Sequence, residues 1–130
     1  MNDFTNSISV SASGLKAQAR RLQHVSENIA NADTPGYRRK TVAFEQALGS
    51  PLGTATVAPG PVHLDQSELT RVFDPAHPMA DAAGFYDGSN VDLVIEIADA
   101  REARRSYEAN LKMFDQARQM SSSLLELLRR

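Results

Sequence analysis

Apolar residues near the start of the chain recur with the period of a helix. Ile8, Leu15, Leu22 and Ile29 fall seven residues apart, and Phe4, Ala12, Ala19 and Val25 fill the intermediate positions of one stripe. Lys16, Arg20, Arg21 and Glu27 take the polar side, and Asn31, Asp33, Pro35 and Gly36 stop the pattern beyond Ile29. A helical arm from about Phe4 to Ala30 is predicted, ~40 Å long at ~1.5 Å per residue. Gly14 lies inside it, where glycine costs about 1 kcal/mol relative to alanine. A tolerated irregularity and the close approach of a neighbouring helix explain it equally well.

The second arm is longer. Ser89 and Asp92 have the separation of a capping box, and Leu93, Ile97, Ala100, Tyr107, Leu111, Phe114, Ser121, Leu125 and Leu128 follow in steps of three and four. Arg104 and Arg118 interrupt this seam, either snorkelling to its edge or pairing with carboxylates of a neighbouring subunit. Glu108 with Lys112 and Glu126 with Arg130 have the spacing of favourable pairs, and Arg129 and Arg130 suit a helix C-terminus. A helix of about 55 Å outruns any core that the remaining residues can build. Part of its apolar stripe is therefore expected to meet another chain, although the two stripes pairing as an intramolecular hairpin is the alternative.

Between the arms the period changes. Thr41 to Phe44, Thr54 to Val57, Val62 to Leu64 and Leu69 to Phe73 read as short strands, separated by turns at Pro51, Gly53, Pro59, Gly60, Pro61, Pro75, Pro78, Gly84 and Gly88. The fold class expected is mainly α: long N- and C-terminal amphipathic helices forming a coiled-coil-like bundle, with a small β-rich, turn-rich middle module. The divisions fall at 1–36 for the first arm and turn, 37–88 for the module and 89–130 for the second helix.

Charge and composition narrow the partners. Lys and Arg number 14 against 16 Asp and Glu, a net of −2 that offers no pull toward nucleic acid or an anionic membrane. From Thr41 to Gly88 the chain is acidic, with Glu45, Asp65, Glu68, Asp74, Asp81 and Asp87 against Arg71 alone. There is no cysteine, which removes disulfides, thiolate metal sites and cysteine nucleophiles. No stretch approaches the ~20 apolar residues of a spanning helix, so no direct membrane insertion is expected. Met1 to Val10 carries neither a basic leader nor an apolar run, so export would proceed without a cleaved signal peptide.

Candidate chemistry is sparse. His24, His63 and His77 read as surface or interface histidines rather than metal ligands. The run Asp87, Gly88, Ser89, Asn90 and Asp92 has its glycine misplaced for a calcium loop and lacks the closing glutamate, so a turn into a helix cap fits better. No nucleophile elbow or phosphate loop occurs, and neither an enzyme nor a cofactor is expected. The cluster Arg38, Arg39 and Lys40 follows a turn, but the β-branched Thr41 to Phe44 segment makes a poor recognition helix. A solvated or interface cluster is favoured over one that contacts DNA.

One resemblance is specific. Ser13-Gly14-Leu15, Ala17, Arg21-Leu22 and the run Asn28-Ile29-Ala30-Asn31-Ala32-Asp33-Thr34-Pro35-Gly36-Tyr37-Arg38 resemble the N-terminal signature of the flagellar rod and hook proteins. Asp74-Pro75, His77-Pro78, Ala80-Asp81, Gly84-Phe85, Asn90-Val91-Asp92 and Ser106-Tyr107-Glu108-Ala109-Asn110 resemble the family's later stretch, as found in a proximal-rod subunit. The resemblance implies a structural subunit of the flagellar basal-body rod within the periplasm, transmitting torque. It implies as partners copies of itself, other rod proteins and the flagellar type III export apparatus. Phe4 and Ile8 resemble the element that early export substrates present to the export gate. Subunit packing is expected through Ile8, Leu15, Leu22, Ile29, Leu93, Ile97, Tyr107, Leu111, Phe114 and Leu125. A cytosolic coiled-coil adaptor or DNA-binding regulator is the alternative.

Overall fold

The computed structural model describes residues 2–47 and 53–130; Pro51, read above as a turn residue, lies outside them. Helix α1 spans Asn2–Ala30 and helix α2 spans Leu93–Leu128, about 43 and 54 Å at the usual rise. Strands β1 (Lys40–Ala47) and β2 (Thr56–Leu64) form one antiparallel pair, and β3 (Arg71–Phe73) and β4 (Phe85–Asp87) form another.

The two helices pack antiparallel as a hairpin. Asn28 meets Glu96, Arg21 meets Asp99 and Glu102, Gly14 lies against Asn110, and Ser7 shares an apolar cleft with Ala117. Apart from Val25, the buried positions are small or polar: Ser11, Ala17, His24 and Asn28 on α1, and Glu96, Ala103 and Ala117 on α2. A Cβ at Gly14 would stand 2.8 Å from the Asn110 side chain, so close approach accounts for that glycine. The intramolecular seam therefore runs one residue out of step with the apolar heptads: of the predicted stripes Val25 is buried, Phe4, Ile8, Leu15, Leu22, Tyr107 and Phe114 are half-buried, and Ile29, Leu93, Ile97, Leu111 and Leu125 are exposed.

Helix starts and charges differ in detail from expectation. Asp92, whose carboxylate accepts from the Val94 N–H at 2.9 Å, caps α2, and Ser89 instead donates its hydroxyl to the Ala32 carbonyl. Neither Glu108 with Lys112 nor Glu126 with Arg130 closes to ion-pair distance among the described residues. Both pairs are solvent-exposed, where holding two long side chains together gains little.

The strands depart further. Pro59, Gly60 and Pro61, expected to separate two strands, lie inside the single strand β2. Val42 pairs with Val62 and Phe44 with Pro59, leaving Gly60 and Pro61 opposite Ala43 as a bulge. Proline is tolerated there because β2 has a free edge that needs no N–H. Strand β4 was not expected. Its three residues are too few to show a period, and only pairing with β3 defines them. The β1–β2 pair lies against α1, where Val57 N–H donates to the Ser13 hydroxyl at 3.2 Å.

Candidate functional site

The closed end of the hairpin, where α1 stops and α2 starts, is a joint built from polar side chains. Asn28 is 1 % exposed and uses its whole hydrogen-bonding capacity. Its Oδ1 accepts from the Tyr37 hydroxyl and the Lys40 N–H, both at 2.9 Å, and its Nδ2 donates to the Lys40 carbonyl at 2.9 Å and to Glu96 at 3.3 Å. One amide thus ties the end of α1 to the start of β1 and the first turn of α2.

Asn90 plays the corresponding part on the other side. Its Oδ1 accepts from the Arg39 N–H at 2.6 Å, and its Nδ2 donates to the Asp65 carbonyl at 2.9 Å and to Ser67. Between these hubs the chain turns through Thr34-Pro35-Gly36-Tyr37. Gly36 takes φ +74°, which a residue with a Cβ rarely adopts, and its N–H reaches the Asp87 and Gly88 carbonyls. Asn31 donates to the Glu27 carbonyl and accepts from the Thr34 hydroxyl, closing the helix end. Val91 completes the link as a half-buried residue ahead of the Asp92 cap.

Beneath the joint lies a charge network. Glu96 is fully buried, hydrogen-bonded by the Arg39 Nε, while Arg39 also reaches Asp99 at 3.3 Å and Arg21 reaches Asp99 at 2.8 Å. Burial would lower the Arg39 pKa, but the Glu96 hydrogen bond and nearby carboxylates outweigh it and hold the guanidinium above its ordinary value. Lys40 pairs with Glu27 at 2.8 Å, and this hydrogen bond pushes Glu27 below, and Lys40 above, their usual ranges. Burial raises the Tyr37 phenol. Arg38 donates to the Asp65 and Ser67 carbonyls. The basic cluster expected at a surface or interface is therefore spent inside the chain.

A polar cavity of about 330 Å³ opens beside the network, lined by Arg21, His24, Arg39, Lys40, Thr41 and Asp99 among others. His24 is buried, not a surface residue. Neither ring nitrogen has a hydrogen-bond partner among the described residues, and Glu27 stands 3.7 Å from Nδ1. No group of three or more metal-ligating side chains gathers among the described residues.

The signature residues thus converge, whereas the packing candidates do not. Ile8, Leu15, Leu22, Tyr107 and Phe114 are half-buried, and Ile29, Leu93, Ile97, Leu111 and Leu125 are exposed, strung along both helices. Phe4 is also half-buried, beside Met120 and Leu124 at the open end of the hairpin. Arg104 and Arg118 are exposed and form no ion pair among the described residues. Sequence reasoning missed Glu96 and Asp99 as partners of Arg39, and Arg21 as the second cation on Asp99. The signal available was the heptad Glu96, Ala103, Asn110 and Ala117, whose residues are small or polar and so carry no apolar stripe.

Comparison with known proteins identifies this architecture. Residues 8–38 match the family described as flagella basal body rod protein, and residues 82–127 match the flagellar basal body rod FlgEFG protein C-terminal family. The flagellar basal-body rod protein FlgC of Agrobacterium fabrum is 41 % identical over 136 aligned positions, covering 99 % of this chain and 98 % of that protein. The chain belongs to the FlgC family of flagellar basal-body rod proteins. FlgC of Salmonella typhimurium is 33 % identical and FlgC of Bacillus subtilis 34 %, each across 94 % of this chain and 96 % of its own. As a member of the FlgC family the chain is a structural subunit of the flagellar basal-body rod. The two matched stretches are the two sides of the joint: Asn28 to Tyr37 lie in one and Asn90 to Asp92 in the other. No helix among the described residues is long and apolar enough to cross a membrane.

Proposed function

We propose that this rod subunit is held in place by burying its outward apolar stripes against helices of neighbouring subunits, forming a coiled-coil-like bundle through which torque passes. The observation that carries the reading is the division of labour along the hairpin. Small and polar residues close α1 on α2, while Ile29, Leu93, Ile97, Leu111 and Leu125 remain open to solvent. Exposed apolar rows of this length mark an interaction surface. Burial at ~25 cal/mol per Å² lets many such contacts add, and packing density supplies stiffness.

The reading extends to how the subunit arrives. It passes through the flagellar type III export apparatus, joins copies of itself and other rod proteins in the periplasm at the proximal rod, and performs no catalysis. Phe4 and Ile8, four residues apart in the first turns of α1, support a transient role at the export gate before they take their places in the hairpin. The chain divides for these tasks into 1–36, 37–88 and 89–130, with the joint between them.

The test is Leu111→Asp. Leu111 is 40 % exposed on the outward face, so the substitution leaves the hairpin seam intact. The variant is expected to keep the helical circular-dichroism signal of the parent and to be missing from isolated basal bodies. Normal rod incorporation and motility would overturn the reading.

A further inference from the structure

Two parts of the rod signature take no part in the joint: Ser13-Gly14-Leu15 on α1 and Ser106-Tyr107-Glu108-Ala109-Asn110 on α2. The hairpin brings them together about halfway along its length. A Cβ on Gly14 would stand 2.8 Å from Oδ1 and 2.9 Å from Cγ and Nδ2 of Asn110, closer than a carbon comes to such atoms in ordinary contact. Asn110 is half-buried, and its Nδ2 donates to the Ser106 carbonyl at 3.0 Å, so the amide turns aside only by giving up that bond. At the neighbouring residue the Ser13 hydroxyl donates to the Val10 carbonyl at 2.7 Å and accepts the Val57 N–H at 3.2 Å. Both helices and β2 therefore meet at this crossing.

Two points are needed to fix the line of one helix against another. The joint supplies the first, where Asn28 meets Glu96. Gly14 is 14 residues from Asn28 and Asn110 is 14 residues from Glu96, which places the crossing about 21 Å from the joint on both helices. A methyl group on Gly14 needs about 1 Å more room to reach van der Waals distance from the amide. Opening the crossing by that amount turns one helix on the other by about 3°, and at Leu125, about 44 Å from Glu96, it displaces α2 by about 2 Å. Beyond Asn110 the one buried residue of α2 is Ala117, so little resists the movement. Close-packed apolar contacts do not absorb a shift of that size.

We propose that Gly14 and Asn110 are positioning residues for rod assembly: their contact sets the spacing of the two helices, and through it the place at which the far half of the α2 stripe meets a neighbouring subunit. The inference rests on the stripe packing proposed above and adds the device that aims it. Its mark is a separation of assembly from folding. Alanine is a better helix former than glycine, so Gly14→Ala improves α1 as a helix while it displaces α2. A residue that served only the fold would affect assembly no more than it affected stability.

Gly14→Ala and the double variant Gly14→Ala with Asn110→Ala are compared with the parent by circular-dichroism melting of the purified chain and by the amount of chain in isolated basal bodies. For Gly14→Ala the melting temperature is expected to stay level or rise while incorporation falls severalfold. In the double variant the methyl added on α1 takes the space vacated on α2, and incorporation is expected to recover. Normal incorporation of Gly14→Ala overturns the proposal. So does a loss that tracks a fall in melting temperature, or one that Asn110→Ala fails to restore. Leu111→Asp, run beside them, separates this inference from the reading beneath it. Its normal incorporation overturns the stripe packing, whereas its exclusion alongside a normally incorporated Gly14→Ala overturns the role of the crossing alone.

Discussion

Replacing Asn28 by alanine removes the side chain that joins both helices to β1. Four hydrogen bonds are lost, and the Lys40 N–H and carbonyl both lose their Asn28 partner. A buried polar group left unpaired costs about 1–3 kcal/mol. Lys40 is only half-buried and the Tyr37 hydroxyl can turn to water, so about 3 kcal/mol in total is expected for the pair of backbone groups and the void together. For a chain of this size that is a fall in Tm of about 12 °C, taking ~4 °C per kcal/mol. Circular-dichroism melts and urea titrations measure it, and hydrogen exchange should show the Lys40 amide losing protection. Asn28→Asp is a sharper comparator. It keeps both accepted bonds but sets a carboxylate where Nδ2 stood 3.3 Å from Glu96. Its folded-state pKa is then raised, so its penalty is greatest at neutral pH and shrinks as pH falls. A cost below about 1 kcal/mol for Asn28→Ala, with Lys40 protection unchanged, would refute the assignment of Asn28 as the hub of the joint.

Two further outcomes test the charges around that hub. Arg39→Met leaves the fully buried Glu96 without its cation and is expected to cost about 3–5 kcal/mol in urea unfolding, most of it recovered by adding Glu96→Leu; a loss of stability that the second substitution deepens would count against the pairing. Lys40 holds Glu27 below the ordinary glutamate value of 4.5, so the pair's contribution is present above that value and lost as pH falls through the lower folded-state pKa; the urea midpoint of Glu27→Gln should therefore decline less than the parent's between pH 7 and 3, and parallel declines would contradict this.

The helices were legible because their signal is long. Period and stop residues placed the end of α1 at Ala30 and the body of α2 to within a few residues. What the pattern did not reveal was the seam. A hydrophobic stripe reports which face leaves water, not which neighbour covers it. Here the face that covers its own partner is made of Gly14, Ala17, Ala103 and Ala117, residues chosen by close approach and nearly silent in hydrophobicity. The signature from Asn28 to Tyr37 was legible as a motif, but its purpose was not. Asn90 is far along the chain from Asn28, Gly36 and Tyr37, and they become one site only when the strands bring Lys40, Asp65 and Asp87 between them. The basic run Arg38 to Lys40 misled for a related reason, since its carboxylate partners come from both helices.

These features bear on one another. The buried apolar residues of the hairpin are Ala17, Val25, Ala103 and Ala117, side chains that together remove little apolar area from water. Such a seam cannot fix the helices by hydrophobic burial alone, and the polar joint supplies the geometry instead: hydrogen bonds are directional where apolar contacts are not. A hairpin that turned its leucines inward would be more stable alone and would have nothing to offer a neighbour. Holding the arms by amides and ion pairs at one end leaves Ile97, Leu111 and Leu125 exposed, and in the packing proposed above, binding that buries them would stabilise the folded chain by mass action. In that proposal the joint sets the angle at which the stripes are presented, and the stripes supply the energy that the seam does not.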